Sequence, residues 1–116
     1  MPAILQKILE KIKTDSAVVE LQGLSGSSKA LVVSMLSQIP EQPPEKIMPL
    51  VVVCESFDVA EVLLNDLYYF FGKEGVHFFP FWDVLPFDNF SPHKGLVAQR
   101  FQTLDALLNS EVRVLI

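Results

Sequence analysis

The sequence predicts an α/β fold of the phosphate-loop type: a three-layer arrangement with a mostly parallel sheet and helices on both faces. Three observations carry this. Apolar runs of strand length alternate with amphipathic or apolar runs of helical length, which is the order that builds parallel sheets. One of those runs, Leu50–Cys54, is continuously apolar, as a strand buried on both faces would be. Finally, Leu21–Leu31 lays out strand, glycine-rich turn, lysine and helix in succession.

The chain opens with Ile4, Leu5, Ile8, Leu9 and Ile12 at helical spacing, and Gln6, Lys7, Glu10, Lys11 and Lys13 on the other side. That is an amphipathic helix, and its lysines belong to a solvated face. Ala17–Leu21 follows as the first expected strand. A largely apolar helix is expected from about Ser28 to Ile39, where Pro40 stops it by disfavouring helical geometry in the residue before it.

Between these two elements lies the stretch with the most chemistry. The phosphate loop reads Gly, any four residues, Gly, Lys, then Ser or Thr. Gly23 and Lys29 stand in register and Gly26 lies between them, but Ser28 occupies the second glycine position and Ala30 the hydroxyl position. A Cβ at Ser28 crowds the turn where backbone amides must close on phosphate. Ala30 has no atom to ligate Mg²⁺. Each lost contact to a charged group costs roughly 1.5–3 kcal/mol, or about ten- to a hundredfold in affinity. The expectation is a loop that keeps its fold and has lost its phosphate chemistry. Two alternatives stand beside it. One is a working nucleotide-binding or hydrolysing domain with a relaxed loop. The other is a hydrolase, since Gly23-Leu24-Ser25-Gly26-Ser27 is one residue from the Gly-x-Ser-x-Gly nucleophile elbow. Ser25 would then need His77 or His93, the two histidines available.

Pro40–Lys46 is proline-rich and reads as an exposed connection into the Leu50–Cys54 strand. Cys54, the single cysteine, cannot form an internal disulfide and is expected to be a buried, inert thiol. Glu55 follows the strand as a metal-holding acid would, although strands commonly end this way. Ser56 is placed to cap a helix from about Asp58 to Phe71, with Val59, Val62, Leu63, Leu67 and Phe70 as its buried stripe and Gly72 to stop it. Val76–Phe79 is the next strand.

Phe79 to Phe90 holds two prolines and several aromatics in an irregular segment. Either Phe81, Trp82, Leu85 and Phe87 seal the carboxyl edge of the sheet, or they form a docking platform for another domain or protein. The flanking Asp83 and Asp88 argue against stacking nucleic-acid bases. Ser91 and Pro92 are expected to start a helix whose inward face is Leu96, Val97, Phe101, Leu104, Leu107 and Leu108. Arg100 is expected to reach Asp83 or Asp88. Val112–Ile116 is a closing strand without a polar exit, which suggests a piece of a longer polypeptide.

Composition bounds the function. With 50% hydrophobic and 20% charged residues the chain can bury a core. Its net charge of −5 argues against a stand-alone nucleic-acid binder. No targeting segment, membrane span or metal-ligand spacing is visible, so the expectation is a cytoplasmic protein without membrane contact.

Gly23–Ala30, the segment Phe79-Pro80-Phe81-Trp82-Asp83-Val84-Leu85-Pro86-Phe87-Asp88-Asn89-Phe90-Ser91-Pro92-His93, and Arg100 together resemble the N-terminal module of bacterial transcription-repair coupling factors (Mfd). The likeness runs from Leu21 to Ile116. The sequence departs from that pattern at Phe81, where an acid is usual, and at Phe87, where tyrosine is usual. The resemblance implies that residues 1–116 are the first part of a single UvrB-like, RecA/helicase-type domain with a silenced phosphate loop. It implies no catalytic residue and no cofactor or metal here, ATP and Mg²⁺ belonging to a motor further along the parent. The implied partners are the rest of the polypeptide, UvrA through an adjacent inserted domain, and RNA polymerase and DNA through other domains of that ATP-dependent translocase, in nucleotide excision repair of DNA damage. Phe81, Trp82, Phe87 and Arg100 are the expected docking residues.

Overall fold

The computed structural model describes residues 3–15, 18–38 and 49–116. In chain order the elements are α1 (Ala3–Asp15), α2 (Ser28–Ser37), β1 (Leu50–Val51), α3 (Phe57–Phe71), β2 (Val76–His77), α4 (Lys94–Leu108) and β3 (Val114–Leu115). The chain is therefore α/β, with four helices and a small parallel sheet of three strands among the described residues. The expected end of α2 at Ile39 and Pro40, and the Pro40–Lys46 connection, lie outside the described residues.

The sheet order is β1-β3-β2. Leu50 and Val76 both pair with Val114, while Val51 and His77 both pair with Leu115. The last strand in sequence is thus the central one, and this corrects the expectation that Leu50–Cys54 is central. The mainly apolar composition of Leu50–Cys54 does not report two covered faces here: Val51 and Val53 are both exposed. Pairing continues just past the strands, with Val52 N donating to Leu115 O at 2.8 Å and Phe79 N to Ile116 O at 2.7 Å.

The strand expected over Ala17–Leu21 is also corrected. Residues 18–25 carry no ladder, and Ala17 lies outside the described residues. β-propensity fits a run to a pleated surface without supplying a neighbour, and both edges of the central strand β3 are already occupied.

The core joins Ala30 of α2, Ala60 and Leu67 of α3, Val76 of β2, and Val114 with Ile116 at the end of the chain. Leu63, Leu64 and Phe71 pack against it. Alanines on both helices let α2 lie close along α3. The buried line of α3 is therefore Ala60, Leu63, Leu64 and Leu67, rotated from the expected stripe, with Val59, Val62 and Phe70 exposed. Ser56 caps α3 as expected, its hydroxyl accepting from Val59 N at 3.3 Å. Gly72 stops it with φ 74°, a conformation that costs glycine nothing.

Two further corrections concern α4. His93, not Ser91, is its cap: the imidazole Nδ1 accepts from Gly95 N at 3.2 Å, and Pro92 precedes the helix. Its buried residues are Thr103 and Ala106, with Leu96, Val97 and Leu107 half-buried, whereas Phe101, Leu104 and Leu108 are exposed. On α1, Leu5 and Ile8 are buried and Ile4 and Ile12 are exposed. Among the described residues no helix is long and apolar enough to cross a membrane.

Candidate functional site

The glycine-rich turn has two residues in left-handed geometry. Gly23 has φ 79° and Gly26 φ 54°, so the backbone passes twice through the left-handed region before α2 begins. The polar groups, however, are turned onto the loop itself. The Ser28 hydroxyl donates to Ser25 O at 2.6 Å, and the Ser28 amide donates to the same oxygen at 3.2 Å. A carbonyl therefore takes the amide that a phosphate would need. Ser27 precedes the helix with helical dihedrals and makes no side-chain cap bond.

Lys29 is exposed beside this turn. Ala30 is fully buried, at 0% exposure, within the core cluster. The position that would carry the magnesium-binding hydroxyl thus faces α3 and the sheet instead of the loop. The nucleophile-elbow alternative finds no support in how the histidines are used. His93 is engaged at the start of α4, and His77 lines a polar hollow with Lys73, Glu74, Ser110, Glu111 and Arg113 at the opposite, amino-terminal end of the strands.

At the carboxyl end of β1 and β3 lies a cleft of about 500 Å³ whose walls include Val51, Val53, Cys54, Glu55, Phe57 and Phe81. Open α/β sheets commonly place ligands at this end. Here the lining side chains are mainly apolar, with Glu55 the one acidic side chain among them. Cys54 is half-buried, less enclosed than expected. Burial raises its thiol pKa above the usual range, nearby Lys29 opposes that, and Glu55 adds to it. Among the described residues no group of three or more His, Cys, Asp and Glu could hold a metal ion.

The segment between β2 and α4 begins beside this cleft. Phe81, Leu85, Phe87 and Phe90 project into solvent, Phe87 at 97% exposure, and Trp82 is exposed as well at 38%, which overturns the expectation that Phe81, Trp82, Leu85 and Phe87 seal the sheet. The loop is nevertheless braced. Asp88 Oδ2 accepts from Leu85 N at 2.9 Å and Asp88 N donates to Leu85 O at 3.0 Å. The Asp83 carboxylate accepts from His93 N at 3.3 Å.

Arg100 does not reach either carboxylate. Its guanidinium carbon lies 3.9 Å from the ring centroid of Phe79 and 4.1 Å from that of Trp82, and Nη1 donates to Pro80 O. Three residues of one loop, Phe79, Pro80 and Trp82, are thereby tied to one helix side chain. One turn further along α4, the Thr103 hydroxyl donates to Phe78 O at 2.9 Å. Sequence reasoning placed Arg100 against the right segment but gave it the wrong partners, and it did not single out Thr103. The available signal was the run Phe78–Trp82, rich in π faces and short of donors.

The two sequence-derived sites are thus brought to one end of the molecule only in part. Lys29 is near Cys54 at the cleft, and Phe81 lines it, while Phe87 stands away in solvent. No family model matches the chain, and no curated protein or solved structure is detectably similar to it.

Proposed function

We propose that this chain is a non-catalytic scaffold: a phosphate-loop α/β unit whose loop no longer handles nucleotide and whose apolar end serves docking. The observation that carries this reading is Ser25 O accepting from both the amide and the hydroxyl of Ser28. A loop closed in this way offers phosphate neither a clear amide nest nor a metal hydroxyl. Ala30 inside the core adds to it, because no rotation of that side chain could serve a metal. On this reading the finer fold is a three-layer phosphate-loop sheet that continues beyond β1, whose outer edge has no neighbouring strand among the described residues.

The sequence resemblance gives the scaffold its setting. It is the first part of the UvrB-homology module of a transcription-repair coupling factor, supporting UvrA recruitment through a neighbouring domain and docking within the parent. Exposed Phe81 and Phe87, with Trp82 held by Arg100, fit a surface that meets other protein.

Calorimetric titration with ATP, with and without Mg²⁺, tests the reading. The expected result is no detectable heat at millimolar nucleotide. Micromolar, Mg²⁺-dependent binding would overturn it in favour of a working nucleotide site.

A further inference from the structure

His93 joins the aromatic loop to α4 and closes that loop at the same residue. Its backbone amide donates to the Asp83 carboxylate, 3.3 Å from Oδ2 and 3.4 Å from Oδ1, which closes residues 83–93 on themselves. Its carbonyl accepts from Leu96 N at 3.0 Å and Val97 N at 3.1 Å, starting the helix. Its imidazole caps the helix, Nδ1 accepting from Gly95 N at 3.2 Å. Gly95 leaves room for this contact: a Cβ there would stand 3.2 Å from Nδ1 and 3.3 Å from Cε1. Within the closed segment Leu85, Phe87 and Phe90 are held out to solvent.

The cap works only with a neutral ring. Nδ1 accepts through its lone pair, so the ring's one proton is on Nε2. A proton taken from solvent by Nδ1 fills that lone pair and sets two donors, Nδ1–H and Gly95 N–H, against each other. Its charge also falls at a helix amino terminus, where cations are disfavoured. Histidine is the side chain that gains this proton between about pH 8 and 5, and His93 is exposed to solvent. The charged groups on the segments it joins are Asp83 and Asp88 of the loop and, in the first two turns of α4, Lys94 and Arg100. Asp88 is taken by Leu85 N, and Arg100 by Pro80 O and the Phe79 and Trp82 rings. Lys94 is exposed and adds like charge. Asp83 binds His93 at the amide, and an imidazolium that turned to this anion would draw it off that amide.

We propose that His93 is an acid-released clasp: neutral, it closes residues 83–93 and caps α4, and protonated, it frees both. Release is local. The Arg100 stack on Phe79 and Trp82 lies ahead of the clasp and contains no group that titrates in this range. The clasp therefore loosens the part of the loop that carries Leu85, Phe87 and Phe90 and leaves its base in place. It stands apart from the glycine-rich turn.

The test is amide hydrogen exchange of the full chain by NMR at about pH 8 and pH 5. It is read as protection factors for the His93 and Gly95 amides, with circular dichroism to check that each variant is folded. Wild type is expected to lose about fivefold in protection at both amides at the lower pH, the size of effect a helix cap commonly supplies. His93→Asn keeps a capping oxygen that does not titrate, so its protection is the same at both pH values. His93→Ala leaves the Gly95 amide as poorly protected at the higher pH as wild type is at the lower. His77→Gln, at the other histidine, responds as wild type does. Wild-type protection that holds at the lower pH overturns the inference. So does a pH response that survives in His93→Asn or vanishes in His77→Gln, or full protection of Gly95 in His93→Ala. None of these outcomes bears on ATP binding, so the two readings fail separately.

Discussion

Arg100 and Trp82 are stacked, with the guanidinium carbon 4.1 Å from the ring centroid. The cation comes from the middle of α4 and the ring from an irregular loop, and Phe79 closes the other side at 3.9 Å. A half-buried guanidinium between two aromatic faces is held by quadrupole attraction, and its hydrogen bond to Pro80 O fixes its direction. The loop therefore has a fixed base even though its apolar tips stand in water.

Arg100→Ala should release that base. The loss combines cation–π attraction with a hydrogen bond to an otherwise unpaired carbonyl, together about 2–3 kcal/mol. Urea unfolding should show the drop, and the emission of Trp82, the single tryptophan, should shift to the red as water reaches the indole. Arg100→Lys should recover less than half, because an ammonium lacks the planar face that stacks between two rings. Full recovery by lysine would show that charge alone suffices.

Thr103 lies on the same helix, is 3% exposed, and donates to Phe78 O at 2.9 Å. Thr103→Val keeps the shape and removes the donor. The expected cost is about 1–2 kcal/mol, because the Phe78 carbonyl is left without this partner in a partly buried place. An unchanged denaturation midpoint would mean that water replaces the hydroxyl freely.

How far the sequence foretold these features depended on whether the cause was local. Ser56 and Gly72 were legible because a cap and a left-handed stop are set by the residues themselves. The β3 strand was legible as a strand, but not as the centre of the sheet, since strand order is a property of crossovers that no single run encodes. The rotation of the α3 stripe from Val59 and Val62 to Ala60 and Leu64 has the same origin. Hydropathy ranks alanine below valine, whereas close helix packing prefers the smaller side chain. Ser28 and Ala30 stand out in the sequence as departures from the motif. That Ser28 would bond back to Ser25 O, and that Ala30 would sit in the core, required the fold. Arg100 was matched to carboxylates because charge is the easiest complement to read, while the aromatic stack depended on the path of an irregular loop.

Cys54 gives a pH dependence with a definite sign. Its pKa is raised above the ordinary thiol value, first by burial, with Lys29 opposing and Glu55 reinforcing the shift. The folded state therefore favours the neutral thiol. Its contribution to stability is full below the unfolded thiol pKa, about 8.5, and is lost as pH rises through the higher folded value. Alkylation by iodoacetamide should be slow at neutral pH and accelerate at a higher pH than for a free thiol. Cys54→Ser should flatten the alkaline part of the stability profile, measured by urea unfolding at stepped pH. Fast labelling at neutral pH would contradict the sign.

Ala30→Thr writes the missing phosphate-loop hydroxyl back into the sequence, and the fold predicts that this will not restore a magnesium site. Ala30 is fully buried in the core cluster. A threonine there adds volume and places a hydroxyl among apolar neighbours, so overpacking and an unmatched polar group should cost about 1–3 kcal/mol. Ser28→Gly in the same chain frees Ser25 O of one bond and removes the Cβ, yet leaves residue 30 facing inward. The double variant should thus unfold at lower urea than wild type and still give no Mg²⁺-dependent heat with ATP. If it instead gained such binding without losing stability, the start of α2 would have to rotate residue 30 out of the core toward the loop, and the closed turn would be only one of two accessible forms.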